Sequence, residues 1–138
     1  METKVDIHKA GGVIIRDRKM LVERSKDKTH FIAPGGSIEP GETPKQALVR
    51  ELMEEFQILV AEADLKEFGT FYAQAAGQEA KRLRMDVFMV QDWQGEPTPD
   101  NEVEEVAWID SEHPDNMQIG SVFQHDVLPA LKAQGLID

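Results

Sequence analysis

The chain has 138 residues, 41% of them hydrophobic, which is enough for the core of one ordinary domain. It contains no cysteine, which excludes disulfides and thiolate metal sites and is compatible with an intracellular protein. Its 26 acids against 15 bases give a net charge of −11, which repels phosphate backbones and argues against a binder of duplex nucleic acid, although an anionic small molecule could still bind in company with a cation.

The opening METKVDIHKAGG has no long apolar stretch, so neither a secretory leader nor a membrane span is expected, and the cytoplasm is the expected compartment. Residues 10–15 (AGGVII) and 20–23 (MLVE) flank the polar RDRK and predict two strands joined in a hairpin, the first weakened by Gly11 and Gly12. Residues 25–30 predict a polar loop, and Phe31, Ile32 and Ala33 form a short apolar run stopped by Pro34, Gly35 and Gly36. A helix follows, then a strand over 65–74 and a loop over 75–80 (AAGQEA). Leu83, Met85, Val87 and Met89 alternate with Arg82, Arg84, Asp86 and Phe88, the period of two of a half-buried strand. Residues 91–100 carry turn chemistry, 103–109 predict a last strand, and 122–134 a helix in which Pro129 marks a kink or a restart. No repeat or long linker divides the chain. The expected class is α/β or α+β with a mixed sheet, in a single domain over residues 1–138.

The helix between the strands carries the chemistry. Thr43 as N-cap, Pro44 at the first helical position and Gln46 at the third form a capping-box start. Leu48, Leu52 and Phe56, widened by Ala47 and Val49, make the apolar stripe that should pack on the sheet. Glu51, Glu54 and Glu55 lie at i, i+3 and i+4 and share another face. Each like-charged neighbour pair costs about 0.2–0.5 kcal/mol. The free carbonyls at the helix end add roughly half a negative charge. Arg50 is spaced to pair with Glu54 at i+4 and less well with Glu51 or Glu55. A hard divalent cation such as Mg²⁺, which prefers carboxylate oxygens and bridges them to substrate phosphates, would relieve the repulsion. The bland alternative is a solvated acidic face. The Pro34-Gly35-Gly36 turn, which lets backbone approach a ligand, and Glu42 just before the cap favour the metal reading.

Residues 36–58 resemble the signature of Nudix hydrolases, G-x5-E-x7-R-E-U-x-E-E-x-G-U with U aliphatic: Gly36, Glu42, Arg50, Glu51, Leu52, Glu54, Glu55 and Ile58 occupy its places. Gln57 stands where the family usually has glycine. A glutamine held in that left-handed position costs on the order of 1 kcal/mol and removes no proposed ligand. The resemblance implies an α/β/α sandwich around a mixed sheet and cleavage of a nucleoside diphosphate linked to another group, with Mg²⁺ or Mn²⁺. It makes Glu51, Glu54 and Glu55 the expected metal ligands, with the Gly35 carbonyl as a further one. Arg50 is expected to orient the acids, Glu42 to brace the loop–helix junction, and Glu102 to complete the site from the loop before the last strand, with Glu104 and Glu105 as competitors. A metal-activated water would attack phosphorus while a carboxylate takes its proton, with Glu51, Glu54 and the loop glutamate all open as that base.

Outside the motif, Arg24 and Arg84, with Arg82 beside it, are candidates for holding phosphate or base. Phe31, Phe71, Tyr72 and Trp108 could stack on a base, but Phe71 and Trp108 read better as core. His30, His113 and His125 have no ligand spacing, and Gln124 could read a base edge. The expected partner is a small-molecule nucleotide, with no membrane and with homodimerisation left open. The expected substrate is a nucleoside triphosphate, including oxidised or non-standard ones, split to monophosphate and pyrophosphate. The alternatives are ADP-ribose or a nucleotide sugar, which the resemblance disfavours because members of that group often carry a proline about fifteen residues past the motif and none lies between Gln57 and Gly95, a dinucleoside polyphosphate, and a nucleotide-binding module without catalysis.

Overall fold

The computed structural model describes residues 5–75 and 78–138, and side chains other than those of 74–80. Strands β1 (Ile7–Val13), β4 (Gly35–Ser37), β5 (Leu65–Ala75) and β6 (Gln78–Val90) form a four-stranded sheet in the order β4-β1-β6-β5. β1 runs parallel to β6 and the other neighbours are antiparallel, so the sheet is mixed as expected. Strands β2 (Ile15–Arg16), β3 (Lys19–Ser25) and β7 (Val103–Ile109) form a second, antiparallel sheet in the order β2-β3-β7. The expected loop over 75–80 is shorter, because strand resumes at Gln78; residues 76 and 77 of it lie outside the described residues.

The hairpin expected from AGGVII and MLVE survives only as its tip. Ile15 and Arg16 pair with Met20 and Lys19 across Asp17 and Arg18, whose φ angles of 53° and 62° suit the tight two-residue turn. The body of β1 instead joins the other sheet, with Lys9 opposite Ser37 and Met85. Sequence neighbours thus part company at Ile14, and distant strands become partners.

The alternation in β6 serves two cores rather than a core and a solvent face. Met85 and Val87 join Val13, Met20, Val22, Phe31 and Phe123 on one side, while Phe88 and Val90 join Ala10, Ile14 and Leu21 on the other. Helix α1 (Pro44–Phe56) covers the second face through Ala47, Leu48, Leu52 and Phe56, all fully buried. Burying each of its three large apolar side chains contributes about 1.5–3 kcal/mol. The helix sits so close that a Cβ on Gly12 would lie 3.1 Å from Val90 and 3.3 Å from Leu48, which explains a glycine inside a strand. Thr43 and Gln46 make both bonds of the expected capping box.

The first face is covered by a π-helical turn, Phe123–Val127, leading into α2 (Leu128–Ala133). Pro129 has no N–H to donate and its ring crowds the preceding turn. The chain answers with a wider turn, the Leu128 N–H reaching back to the Phe123 carbonyl, and restarts as α2. Helices on both faces of the strands complete the α/β/α arrangement, built on two sheets. No described helix is long and apolar enough to cross a membrane.

Candidate active site

The acids of α1 meet the β4 loop. The Arg50 guanidinium grips Glu42 with two bonds, Nε to Oε2 at 2.8 Å and Nη2 to Oε1 at 2.9 Å, and Nη2 also donates to the Ser37 carbonyl at 3.1 Å. From that position Nη1 donates to Glu51 at 2.8 Å and only distantly to Glu54, at 3.4 Å. This corrects the expectation that Glu54 is the arginine's main partner. Helical spacing alone favours the i+4 acid, but Glu42 and the Ser37 carbonyl draw the guanidinium toward the loop, where Glu51 also points. Glu42 in turn accepts the Glu39 N–H at 2.9 Å, and Arg50 first and that bond second hold its carboxyl down at about 2. The loop–helix junction is thus closed by one bidentate ion pair.

The paired glycines have separate steric reasons. A Cβ at Gly35 would stand 2.0 Å from the Ala10 carbonyl oxygen, and one at Gly36 would stand 2.7 Å from the Glu51 carboxyl. β4 is therefore a strip of bare backbone between β1 and the helix acids. The Gly35 N–H donates to Glu55 Oε1 at 2.9 Å, while its carbonyl is the ligand expected from the motif. Burial pushes the Glu51 carboxyl up against the opposing pull of Arg50, whereas Glu54 remains exposed.

A fourth acid belongs here that the motif does not contain. Glu23, in β3, is fully buried, and no protein donor reaches either of its carboxylate oxygens. Its carboxyl is pushed up by burial first and by the neighbouring Glu55 and Glu51 second; burial likewise raises Glu55. MLVE reads from sequence as a strand, and that reading does not mark its acid. The available signal was the period of two: Leu21 faces the α1 core, so Glu23 must face the same way.

The loop before β7 docks on the tail of α1. The Asp100 N–H donates to the Glu55 carbonyl at 2.8 Å, Asn101 Nδ2 to the Glu54 carbonyl at 2.6 Å, and Gln57 Nε2 to Asp100 at 3.0 Å. Glu102 follows directly and is exposed, whereas its competitors Glu104 and Glu105 are both engaged by Arg24, at 3.4 and 3.3 Å. Arg24 also donates to the Lys28 carbonyl, so its donors are turned to β7 and its own loop, not to the α1 acids. Arg84 is placed differently. Gly36, Ala10, Asp86 and Thr70 form one row across the sheet, and His8, Arg84 and Tyr72 form another, two residues along. Both rows face the α1 side. Asp86 accepts from Arg84 at 3.1 Å and Thr70 at 2.9 Å and lies 2.6 Å from His8 Nε2; these bonds outweigh its burial and hold its carboxyl below the usual range. His8 and Asp86 were not singled out from sequence.

Of the other candidates, Phe31 is core, and Phe71 and Trp108 are partly buried against the two cores. Tyr72 is 47% exposed, with the Arg82 guanidinium 4.8 Å from its ring. Gln124 is bonded to His113 at 2.9 Å, His30 lies against Thr29, and His125 is exposed.

The donors gathered at this helix end are all oxygens, the set that suits a hard divalent cation. Among the described residues no three acids already converge as a preformed cage. The fit rests instead on donor chemistry and on the two Glu23 oxygens left without a partner.

The family model of the NUDIX domain matches residues 6–131. The uncharacterised Nudix hydrolase YvcI of Bacillus subtilis is 26% identical over 125 residues, 91% of this chain and 79% of its own. An 8-oxo-dGTP diphosphatase of Proteus vulgaris is 32% identical over 103 residues, 71% of this chain and 88% of its own. The MutT protein from Methanosarcina mazei Go1 has the same fold, with a TM-score of 0.76 at 20% identity, over 98% of this chain and 99% of that one. Given a family match across nearly the whole chain and the motif carried on β4, its loop and α1, this protein belongs to the Nudix family of hydrolases.

Proposed function

We propose that the protein, as a single domain, hydrolyses a diphosphate linkage in a nucleoside triphosphate, including oxidised ones, to the monophosphate and pyrophosphate. The observation that carries this reading is the meeting of Glu51 and Glu55 with the bare Gly35-Gly36 backbone, beside Glu54 and braced by the Arg50–Glu42 pair. The likeness to the Proteus vulgaris 8-oxo-dGTP diphosphatase supports the choice of substrate class.

In this reading Glu51, Glu54, Glu55, the Gly35 carbonyl and Glu102 hold Mg²⁺ or Mn²⁺. The ion, when bound, neutralises charge on the diphosphate and acidifies an attacking water. Arg50 keeps Glu51 aimed into the site. Of the acids on α1, Glu54 is the one best suited to take the proton, because Glu51 is tied to Arg50 and Glu55 to the Gly35 N–H, while Glu54 has only the long Arg50 contact; the exposed Glu102 on the loop before β7 is the competing base. Both Arg24 and Arg84 are ion-paired, Arg24 with Glu104 and Glu105 and Arg84 with Asp86, so it is placement on the α1 side of the sheet that carries Gly36 that favours Arg84 for the nucleotide.

Pyrophosphate released from a panel of ordinary and oxidised nucleoside triphosphates with Mg²⁺ tests the reading. Turnover of at least one is expected, and Glu54→Gln should lower kcat by about 10²–10⁴-fold, the usual worth of a general base. Absence of turnover across the panel overturns it.

A further inference from the structure

We infer that Glu23, which lies outside the family motif, is a further carboxylate of the metal centre, held in place to share a divalent cation with Glu55. The inference rests on the metal-dependent reading above and extends it to a residue on another element.

Glu23 is held by its backbone before its side chain does anything. Its N–H donates to the Ile32 carbonyl at 2.7 Å and its carbonyl accepts the Ile32 N–H at 2.8 Å, while β7 pairs with it on the other side through Val106. The strand cannot turn this residue outward without breaking those bonds. Its side chain follows Leu21 on the face that α1 covers, and the acids it meets there are Glu55 and Glu51.

A carboxylate in that position is short of partners. Its exposure is 0%, and neither oxygen has a hydrogen-bond donor. Buried polar groups are otherwise paired almost without exception, and an unpaired buried charge is strongly unfavourable. A proton shared with Glu55 would satisfy one Glu23 oxygen and leave the other orphaned. Glu55 already accepts the Gly35 N–H through Oε1, so a cation beside the two acids would serve the remaining oxygens of both together. A residue kept for packing alone would be served better by an apolar side chain, since Met20, Leu21 and Val22 before it are all buried.

The test is Mn²⁺ alone, titrated without nucleotide into the full chain and into Glu23→Gln and Glu54→Gln, with free Mn²⁺ read by electron paramagnetic resonance and Tm measured with and without the metal. Glu23→Gln should match or exceed the parent Tm without metal, because an amide can donate to Glu55. It should lose roughly tenfold or more in Mn²⁺ affinity, and with it the metal-induced rise in Tm. Unchanged affinity in Glu23→Gln beside lowered affinity in Glu54→Gln overturns the inference and leaves Glu23 as a protonated neighbour. Unchanged affinity in both variants overturns the metal-dependent reading itself. Glu23→Asp, which withdraws the carboxylate by one methylene, is judged by the same affinity criterion should Glu23→Gln not fold.

Discussion

At the end of α1 a glutamine holds a backbone conformation that usually falls to glycine. Gln57 has φ 57° and ψ 32°, and its N–H closes the last turn on the Met53 carbonyl at 3.0 Å. The left-handed geometry costs an L-residue roughly 1 kcal/mol. Part of that is offset, because the side chain that makes the residue unsuitable also tethers Asp100 at 3.0 Å. Two substitutions separate the effects. Gln57→Gly removes the strain but also the tether, and it loosens the unfolded chain, so its net change should fall within about 0.5 kcal/mol of zero. Gln57→Ala keeps the strain and loses the tether, so it should be about 1 kcal/mol less stable than Gln57→Gly in urea titrations. Equal stability of the two would mean that the left-handed turn stores no strain here.

Among the elements, α1 and the loop before it behave as one piece because Arg50 closes on Glu42. The Glu42 carboxyl is held at about 2, below the ordinary 4.5, by the Arg50 bonds first. A lowered carboxyl contributes stability that is complete above its unfolded value and disappears as pH falls through its folded one. Glu42→Gln should therefore lower Tm at neutral pH. The gap to the parent should narrow below about pH 4.5 and close near pH 2; a gap of constant size down to that pH would show that charge is not what holds the junction. This element was also the most legible part of the sequence, for a physical reason: cap, stripe and acids all lie within a few turns, so spacing alone orders them. β1 was legible as a strand but not in its partners, since Ser37 and Met85 reach Lys9 only through distant chain closure. The pairing of Arg50 with Glu54 is present but long, and Glu51 outranks it, because Glu42 and Ser37 draw the guanidinium from outside the helix. Glu23 was missed because its burial is created by the docking of α1 and is not a property of MLVE itself.

For the molecule as a whole, the net charge of −11 sets how substrate arrives. Two arginines beside the site are already committed, Arg50 to Glu42 and Glu51, and Arg84 to Asp86. A nucleotide therefore approaches a surface of its own sign. Repulsion of this kind is long-ranged at low salt and fades as the screening length shortens from about 30 Å at 0.01 M to about 8 Å at 0.15 M. An enzyme that draws an anionic substrate through a basic field slows as salt is added. Here the sign should reverse: at fixed Mg²⁺, kcat/KM should rise by about twofold or more across that salt range, with kcat little changed. The split matters, because screening acts on the encounter and not on the bound complex. If kcat/KM falls instead, a cationic patch outweighs the acids along the approach, and the arginines beside Tyr72 become the first place to look for it.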